Sequence, residues 1–335
     1  MLKAYVKKGE TLASLVIDPA VEPPAAGTAV WYDLIEPTAA EDTFVEGCLG
    51  VSIPTRAEMQ DIEPSARLYS EEGAEFLTIT AIVNSETEQP VKTQVTFIIH
   101  GNQLVTLRYA NPKAFAIVER NFCKPAGRNG VPSDRVITAE KLMAALLDIM
   151  TDRLAQLLET TGDAIDKVSH DVFHARTGNA RRRTRDLQHL MEEIGRFGDT
   201  LSLVRESLVS INRLTTYHQS MEGDLKMAKD RKQDIKIVQR DAIALADHAN
   251  FLSNKITFLL DATLGLINLE QNAIIKIFSV AAVVFLPPTL VASIYGMNFK
   301  VMPELNWPFG YPMALGLMVL SAALPYLFFK RKGWL

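Results

Sequence analysis

The sequence has little cysteine, and its two cysteines, Cys48 and Cys123, lie far apart with no CxxC or Cys/His pattern around them. We therefore expect two reduced, unreactive thiols, without a disulfide framework or a structural zinc site. The sequence patterns of common catalytic sites are also missing, since no Ser/His/Asp constellation, phosphate-binding loop or HExxH signature occurs. An enzyme is accordingly the function class that the sequence favours least.

A surplus of basic residues is absent from most of the chain. Residues 1–275 hold 30 Lys and Arg against 38 Asp and Glu, whereas residues 276–335 hold five basic residues and one acidic residue. A nucleic-acid-binding domain needs a basic surface, so no nucleic-acid partner is expected. The N-terminus lacks the continuous apolar segment of a secretory signal, and the first domain is expected to stay in the cytoplasm.

Formal charge is absent from two runs near the C-terminus, 277–295 and 311–329, each of 19 residues. A helix needs ~20 apolar residues to cross the hydrocarbon core, so both runs are predicted to span a lipid bilayer. The tail reads KRKGWL, and its three basic residues place this end, and therefore both termini, in the cytoplasm. Pro287 and Pro288 interrupt the first run, which predicts a packed bundle where polar groups such as Thr289 take up the freed backbone groups.

The part before the membrane runs is predicted to be α+β. Short β-rich runs occupy 28–35, 75–83, 93–100 and 103–109, the last two joined as a hairpin, with a helical stretch at 54–65. Helical patterns then cover 138–173, about 183–217, and the chain from about residue 226 to Pro287. The third helix would be roughly 90 Å long, so it is predicted to protrude as a stalk and enter the membrane unbroken.

The resulting prediction divides the chain into six parts. They are a cytoplasmic domain with a helical hairpin (1–225), a stalk helix (226–276), a first transmembrane helix (277–295), a loop on the outer side of the membrane (296–310), a second transmembrane helix (311–329) and a basic cytoplasmic tail (330–335).

An alternating spacing of three and four residues runs along the end of the long helix, which is typical of a helix packed against copies of itself. We call these positions the seam: Asp261, Gly265, Asn268, Asn272, Ile275, Ser279, Ala282, Leu286, Thr289 and Ser293. Polar groups on this face would each cost ~1–3 kcal/mol if buried without partners. A water-filled pore is therefore favoured over a dry bundle.

The segment between the two apolar runs contains GMN at 296–298 and MPEL at 302–305. With the flanking NLEQNAIIKIFSVAAVVFLPPTLVASIY, the C-terminal KRKGWL, and WYDLIEPT and IPTRAEMQDIEPSARLY nearer the N-terminus, the whole chain resembles the CorA family of magnesium channels, in particular its enteric-type members. The resemblance implies a funnel-shaped homopentamer with a cytoplasmic α/β/α sandwich, a long helical stalk and two C-terminal transmembrane helices.

The resemblance also implies roles for particular residues. The bend Gly296-Met297-Asn298 would form the outer mouth and select the ion, with Glu304 raising the cation concentration nearby. The pore lining would comprise Asn272, Ile275, Phe278, Ser279, Ala282, Leu286, Thr289 and Ser293. Lys330, Arg331 and Lys332 would form a basic cytoplasmic ring. More ordinary roles remain open, since Asn298 could be a turn residue and Thr289 could cap carbonyls freed by the proline pair.

Asp261 matches the family's regulatory aspartate on the stalk. Its partner carboxylate on the adjoining subunit would be Glu86 or Glu88. The alternative is that Asp261 is only a solvated stalk charge. Mg²⁺ bound there would hold the channel shut.

The function implied by the resemblance is influx of hydrated Mg²⁺ down the membrane potential, gated by intracellular Mg²⁺, across a bacterial inner membrane. Co²⁺ is an alternative substrate and Ni²⁺ a further candidate. Two other functions remain open: a zinc transporter of the same superfamily, and a non-conducting membrane-anchored metal sensor or scaffold. The intact GMN motif counts against the zinc transporter.

Overall fold

The computed structural model describes residues 1–20, 29–61, 63–87, 89–123, 137–174, 180–221, 229–298, 300 and 302–334. The chain divides into two compact units. The first consists of Met1–His170 and Glu192–Phe258, and the second of Asp171–Met191 and Leu259–Leu335.

In the described part of the first unit, seven strands form a single mixed sheet, in the order β2-β1-β3-β7-β6-β5-β4. Strands β3 and β7 are parallel, and every other neighbouring pair is antiparallel. The strands are β1 (Leu2–Lys8), β2 (Thr11–Ile17), β3 (Ala29–Ile35), β4 (Leu68–Glu71), β5 (Ala74–Val83), β6 (Val91–His100) and β7 (Gln103–Arg108). The predicted hairpin is present, with His100 opposite Gln103.

Eight α-helices and one 3₁₀ turn, Pro303–Asn306, are found in the described residues. The helices are α1 (Ala39–Leu49), α2 (Arg56–Met59), α3 (Pro64–Arg67), α4 (Lys113–Cys123), α5 (Ala139–His174), α6 (Ala180–Met221), α7 (Lys229–Tyr295) and α8 (Gly310–Arg331). The prediction of one helical stretch over 54–65 is wrong, because α2 ends at Met59 and α3 begins only at Pro64. A proline suits the first turn of a helix and disfavours helical conformation in the preceding residue.

Helices cover both faces of the sheet. On one face, Val45 and Leu49 of α1 share a buried apolar cluster with Leu2 and Leu34 of the strands. On the other face, the Phe115 ring of α4 lies 6.3 Å from the Trp31 ring, measured between centroids. Alternate residues of a strand point to opposite faces, so adjacent positions such as Trp31 and Tyr32 serve different layers. The arrangement has the helix, sheet and helix layers that the family resemblance implies.

A charged pair is buried at the centre of the sheet. Arg108 of β7 donates to both carboxylate oxygens of Asp33 on the parallel strand β3, from Nε at 3.0 Å and from Nη2 at 2.8 Å. Thr106 donates its hydroxyl hydrogen to Asp33 Oδ1 and accepts a hydrogen bond from the Trp31 indole. The guanidinium lies over the Phe115 ring, 4.2 Å from its centroid. Each buried charge therefore has partners, which burial of a charge requires.

The helix α7 is continuous over 67 residues, through Pro287 and Pro288. Its C-terminal part and α8 both have the length and hydropathy of membrane-spanning helices. The predicted pair of C-terminal membrane segments is therefore present. A proline cannot donate a backbone hydrogen bond, so the i→i−4 bonds to the carbonyls of Val283 and Val284 cannot form.

The Asp33–Arg108 pair generates a stability prediction. Replacing Asp33 by Ala leaves a buried guanidinium uncompensated, which costs about 3–5 kcal/mol. The apparent Tm of the detergent-purified protein should fall by about 10 °C. The control is Lys92→Ala, which removes an exposed ion pair with Glu206 and should change stability by less than about 1 kcal/mol. Equal Tm values for the two variants would contradict the assigned role of the buried pair.

Candidate ion pathway and metal sites

One face of α7 is exposed along its whole membrane-proximal part. All ten seam residues, from Asp261 to Ser293, are exposed. Successive residues of an α-helix are rotated by about 100°. With that rotation, the seam lies opposite the residues that are more buried within the unit, such as Thr263, Val280 and Val284. One side of this part of α7 is thus more buried, and the seam side is exposed.

The exposed seam includes large apolar side chains as well as polar ones. Ile275 is 60% exposed and Leu286 is 66% exposed, and Phe278 beside the seam is 71% exposed. Asn268 and Asn272 precede them, and the smaller Ser279 and Ala282 lie between them. An exposed apolar surface of this extent marks a region that contacts lipid or protein.

Thr289 does not cap the carbonyls freed by the proline pair. Its hydroxyl donates to the carbonyl of Phe285 at 2.7 Å, which is the ordinary i−4 acceptor of the Thr289 amide rather than the carbonyl of Val283 or Val284. With its hydrogen engaged in the helix, the exposed hydroxyl oxygen keeps lone pairs to accept hydrogen bonds. Such an oxygen can accept a hydrogen bond from water, including water bound to a cation.

The GMN segment follows directly after the last turn of α7. The amide of Gly296 donates to the carbonyl of Ala292 at 3.0 Å, and that of Met297 to Ile294 at 3.2 Å. Gly296 does not have a positive φ, so the bend at this position does not use a left-handed backbone conformation. A Cβ at this position would instead lie 3.1 Å from the carbonyl oxygen of Ala292, a tight contact. Glycine is therefore favoured by close backbone approach at the helix end.

Asn298 is exposed immediately beyond this helix end, and Met297 is half-exposed beside it. The Asn298 amide carries an acceptor oxygen and two donor hydrogens, so it can hydrogen-bond to water on either side. Glu304 lies in the 3₁₀ turn that follows, and its side-chain position is outside the described residues. Trp307 and Tyr311 are strongly exposed near the start of α8, which suits aromatic residues at a membrane interface.

The candidate regulatory carboxylates differ in their surroundings. Asp261 is exposed on α7. Glu86 forms ion pairs with Lys113 and with Arg153, the latter at 2.6 Å. Hydrogen bonds from Lys113 and Arg153 hold the pKa of Glu86 below its ordinary value. A metal ion at Glu86 would have to compete with these two cations.

Glu88 lies outside the described residues. Among the residues that the structure does describe, no three His, Cys, Asp or Glu side chains are grouped to hold a metal ion within one chain.

The basic tail is anchored by an aromatic contact that the sequence analysis missed. The ammonium of Lys276 on α7 lies over the Trp334 ring, 5.9 Å from its centroid, and this ring stacks on Phe329. The side chains of Lys330, Arg331 and Lys332 are exposed at the same end of α8. The signal that could have found the contact is the position of Lys276, the last charged residue before the first apolar run.

Comparisons with known proteins agree with this architecture. The family model described as CorA-like Mg²⁺ transporter protein matches residues 26–331. The magnesium transport protein CorA of Pasteurella multocida is 37% identical over 310 residues, which is 92% of each chain. The protein of the same name from Salmonella typhimurium is 35% identical over 335 residues and the full length of both chains.

A similar fold is found among solved structures. The complete structure of the CorA magnesium transporter from Methanocaldococcus jannaschii has a TM-score of 0.74 at 20% sequence identity, covering 100% of this chain and 99% of that one. The family model and the full-length relatives together make the conclusion plain: the chain belongs to the CorA family, a family of transporters rather than enzymes.

Proposed function

We propose that this protein is a magnesium channel in which copies of α7 surround a water-filled axis, with the seam facing the axis. The observation that carries the proposal is the exposure of all ten seam residues on one side of α7, opposite its more buried residues. Polar side chains within a membrane segment face protein or water rather than lipid. Water in a central passage would hydrogen-bond to the hydroxyl groups of Thr289 and Ser293. The apolar seam residues would line the narrowest part of the passage.

Magnesium is the proposed substrate because full-length relatives at 35–37% identity are named magnesium transport proteins. Co²⁺ is proposed as an alternative substrate and Ni²⁺ as a further one. A pore that hydrogen-bonds to the water shell of an ion, rather than to the ion itself, discriminates weakly among divalent ions of similar hydration. We propose further that the assembly is a homopentamer in a bacterial inner membrane, with both termini in the cytoplasm. The charge of the tail supports this orientation.

The chemistry of the mouth follows from the reluctance of Mg²⁺ to lose its waters. A ring of carboxylates would bind the ion strongly and release it slowly, whereas conduction requires release. The neutral amide oxygen of Asn298 can accept hydrogen bonds from the waters of a hydrated ion and leave the inner shell intact. Glu304 would raise the local concentration of cations without holding them.

The passage would close at its apolar neck. Ile275, Ala282 and Leu286, with Phe278 beside them, form a stretch where water is poorly held, and a narrow apolar pore can block ions by losing its water. Thr289 and Ser293 lie between this neck and the mouth, where their oxygens can hydrate a waiting ion. At the other end, Lys330, Arg331 and Lys332 would form a ring that affects how cations leave.

Feedback is required because the driving force is large. A divalent cation gains roughly 4.6 kcal/mol on entering a cell with an interior potential of about −100 mV. We propose that intracellular Mg²⁺ stops the flow by binding Asp261 of one subunit and a carboxylate of the next, Glu86 or Glu88. The ion pairs of Glu86 with Lys113 and Arg153 would have to open for Glu86 to serve.

The first test concerns the mouth. Asn298→Ala removes the proposed hydrogen-bond acceptor, and Mg²⁺ uptake into proteoliposomes should fall at least about tenfold, the loss expected when several water-mediated contacts disappear. The matched control is Asn306→Ala, an exposed asparagine in the same loop, which should keep most of the uptake. Both variants should have the native oligomeric mass in detergent.

Unchanged uptake by Asn298→Ala would remove the asparagine ring from the mechanism. The same vesicles distinguish the competing functions. Zn²⁺ uptake without Mg²⁺ uptake by the native protein would identify a zinc transporter, and the absence of any metal uptake would identify a non-conducting sensor or scaffold.

The second test concerns feedback. Asp261→Asn removes one negative charge from each proposed regulatory site, so a higher internal Mg²⁺ concentration, by about tenfold, should be needed to halve uptake. Uptake at low internal Mg²⁺ should be unchanged, because Asp261 lies far from the mouth along α7. Asp234→Asn, at an exposed carboxylate earlier in the same helix, is the control. An Asp261→Asn curve that overlays the native curve would show that the sensor lies elsewhere.

A further inference from the structure

A groove of about 410 Å³ lies between α6 and the sheet in the first unit, well away in sequence from the ion pathway. The strand β4 begins at Leu68, which pairs with Leu77 of β5. The residues of β5 after Leu77 therefore have no neighbouring strand on that side. The helix α6 covers this edge instead. The groove is the space left between α6, β5 and the segment that holds Arg67.

Helix and strand are fixed to each other at the floor of the groove. The amide of Thr80 on β5 donates to the Ser210 hydroxyl oxygen at 3.0 Å. Ser210 in turn donates to the carbonyl of Ser207 at 2.7 Å. Thr80 is completely buried, and Thr78 beside it is hydrogen-bonded to Thr96 on the next strand. These contacts make the floor rigid and line it with hydroxyl groups.

Three arginines converge on this groove. Arg205 and Arg213 project from α6, and Arg67 faces them from the end of α3. Within the described part of the chain, neither Arg205 nor Arg213 forms an ion pair. Arg67 donates from Nε to the main-chain carbonyl of Asp61 and from Nη1 to Thr80 Oγ1 at 3.4 Å, so among the described residues it too has no carboxylate partner.

Among the described residues that line the groove, the one carboxylate is already compensated. Glu206 accepts a hydrogen bond from the ammonium of Lys92 at 3.0 Å. The lining therefore carries three guanidinium charges against one paired carboxylate. This concentration of positive charge stands out because residues 1–275 together have eight more acidic than basic side chains.

We propose that this groove binds an anion bearing one or more phosphate groups, of about the size of a mononucleotide. Guanidinium groups present planar pairs of donors that match phosphate oxygens, and several of them together recognise phosphate more specifically than lysines do. The volume falls within the ~300–1,000 Å³ of typical small-molecule sites. The hydroxyls of Ser202 and Thr78 add neutral hydrogen-bonding groups. The site is independent of the proposed ion conduction, since none of its residues belongs to the seam.

The test is calorimetric titration of the full-length protein in detergent, with EDTA present so that metal binding cannot contribute. The probes are inorganic phosphate, AMP, ATP and adenosine. We expect at least one phosphate-bearing probe to bind and adenosine not to bind. Arg205→Gln combined with Arg213→Gln should weaken binding by at least about tenfold, because charge-assisted hydrogen bonds are lost.

The matched control is Arg240→Gln, an exposed arginine on α7, which should bind as the native protein does. Binding of AMP or ATP without binding of inorganic phosphate identifies a nucleotide site, and binding of all three identifies a general phosphate site. Both results support the proposal.

Three results would overturn it: no heat with any phosphate probe, adenosine binding equal to that of AMP, or equal affinities for the double variant and the native protein. If the native protein binds no phosphate and the double variant also loses the native oligomeric mass, the two arginines contribute to contacts between copies of the chain instead.

Discussion

An uncovered helix face is the constraint on which the rest of this protein depends. In the second unit, one side of α7 is more buried, while the side that carries Ser279, Thr289 and Ser293 is exposed. Hydrocarbon cannot satisfy the hydrogen-bonding groups on that side, and each unsatisfied group would cost several kcal/mol. The proposed assembly around water would resolve the conflict, because neighbouring copies would bury the apolar flanks and the aqueous axis would hydrogen-bond to the polar groups.

The same helix joins the proposed sensor to the proposed pore. Asp261 and Ser293 lie on one continuous helix, about 48 Å apart at ~1.5 Å per residue. A rigid element of this kind can carry a change at one end to the other, provided that it has two arrangements with different affinities for the metal. Loss of Mg²⁺ at Asp261 would then favour the arrangement in which the neck at Leu286 is wide enough to stay wet.

The sequence predicted the parts of the fold that have strong periodic patterns. The two membrane helices, the long α7 and the β6–β7 hairpin follow from charge-free runs, helical spacing and alternation. Strands β1, β2 and β4 were not predicted. For β2 and β4 the reason is that they lie at the sheet edges, where several of their side chains are exposed and the alternation of apolar and polar residues is weak. The pairing of Glu86 with Lys113 and Arg153 joins distant parts of the chain, so no local pattern predicts it. The seam was predicted from residue spacing alone. The close approach of Gly296 to the Ala292 carbonyl and the hydrogen bond from the Thr289 hydroxyl to the Phe285 carbonyl could be found only in the structure.

The most direct test of the central claim is the water accessibility of the seam in the assembled protein. Single cysteines are placed at Ser293, Ser279 and Val319 in a chain whose own Cys48 and Cys123 have been replaced by serine, and a small membrane-impermeant thiol reagent is added from outside. A thiol at the seam position Ser293 should react quickly and block uptake, Ser279 should react only when low internal Mg²⁺ opens the neck, and Val319 on the exposed face of α8 should not react. Rapid labelling at Val319 with protected seam positions would contradict an aqueous axis lined by α7.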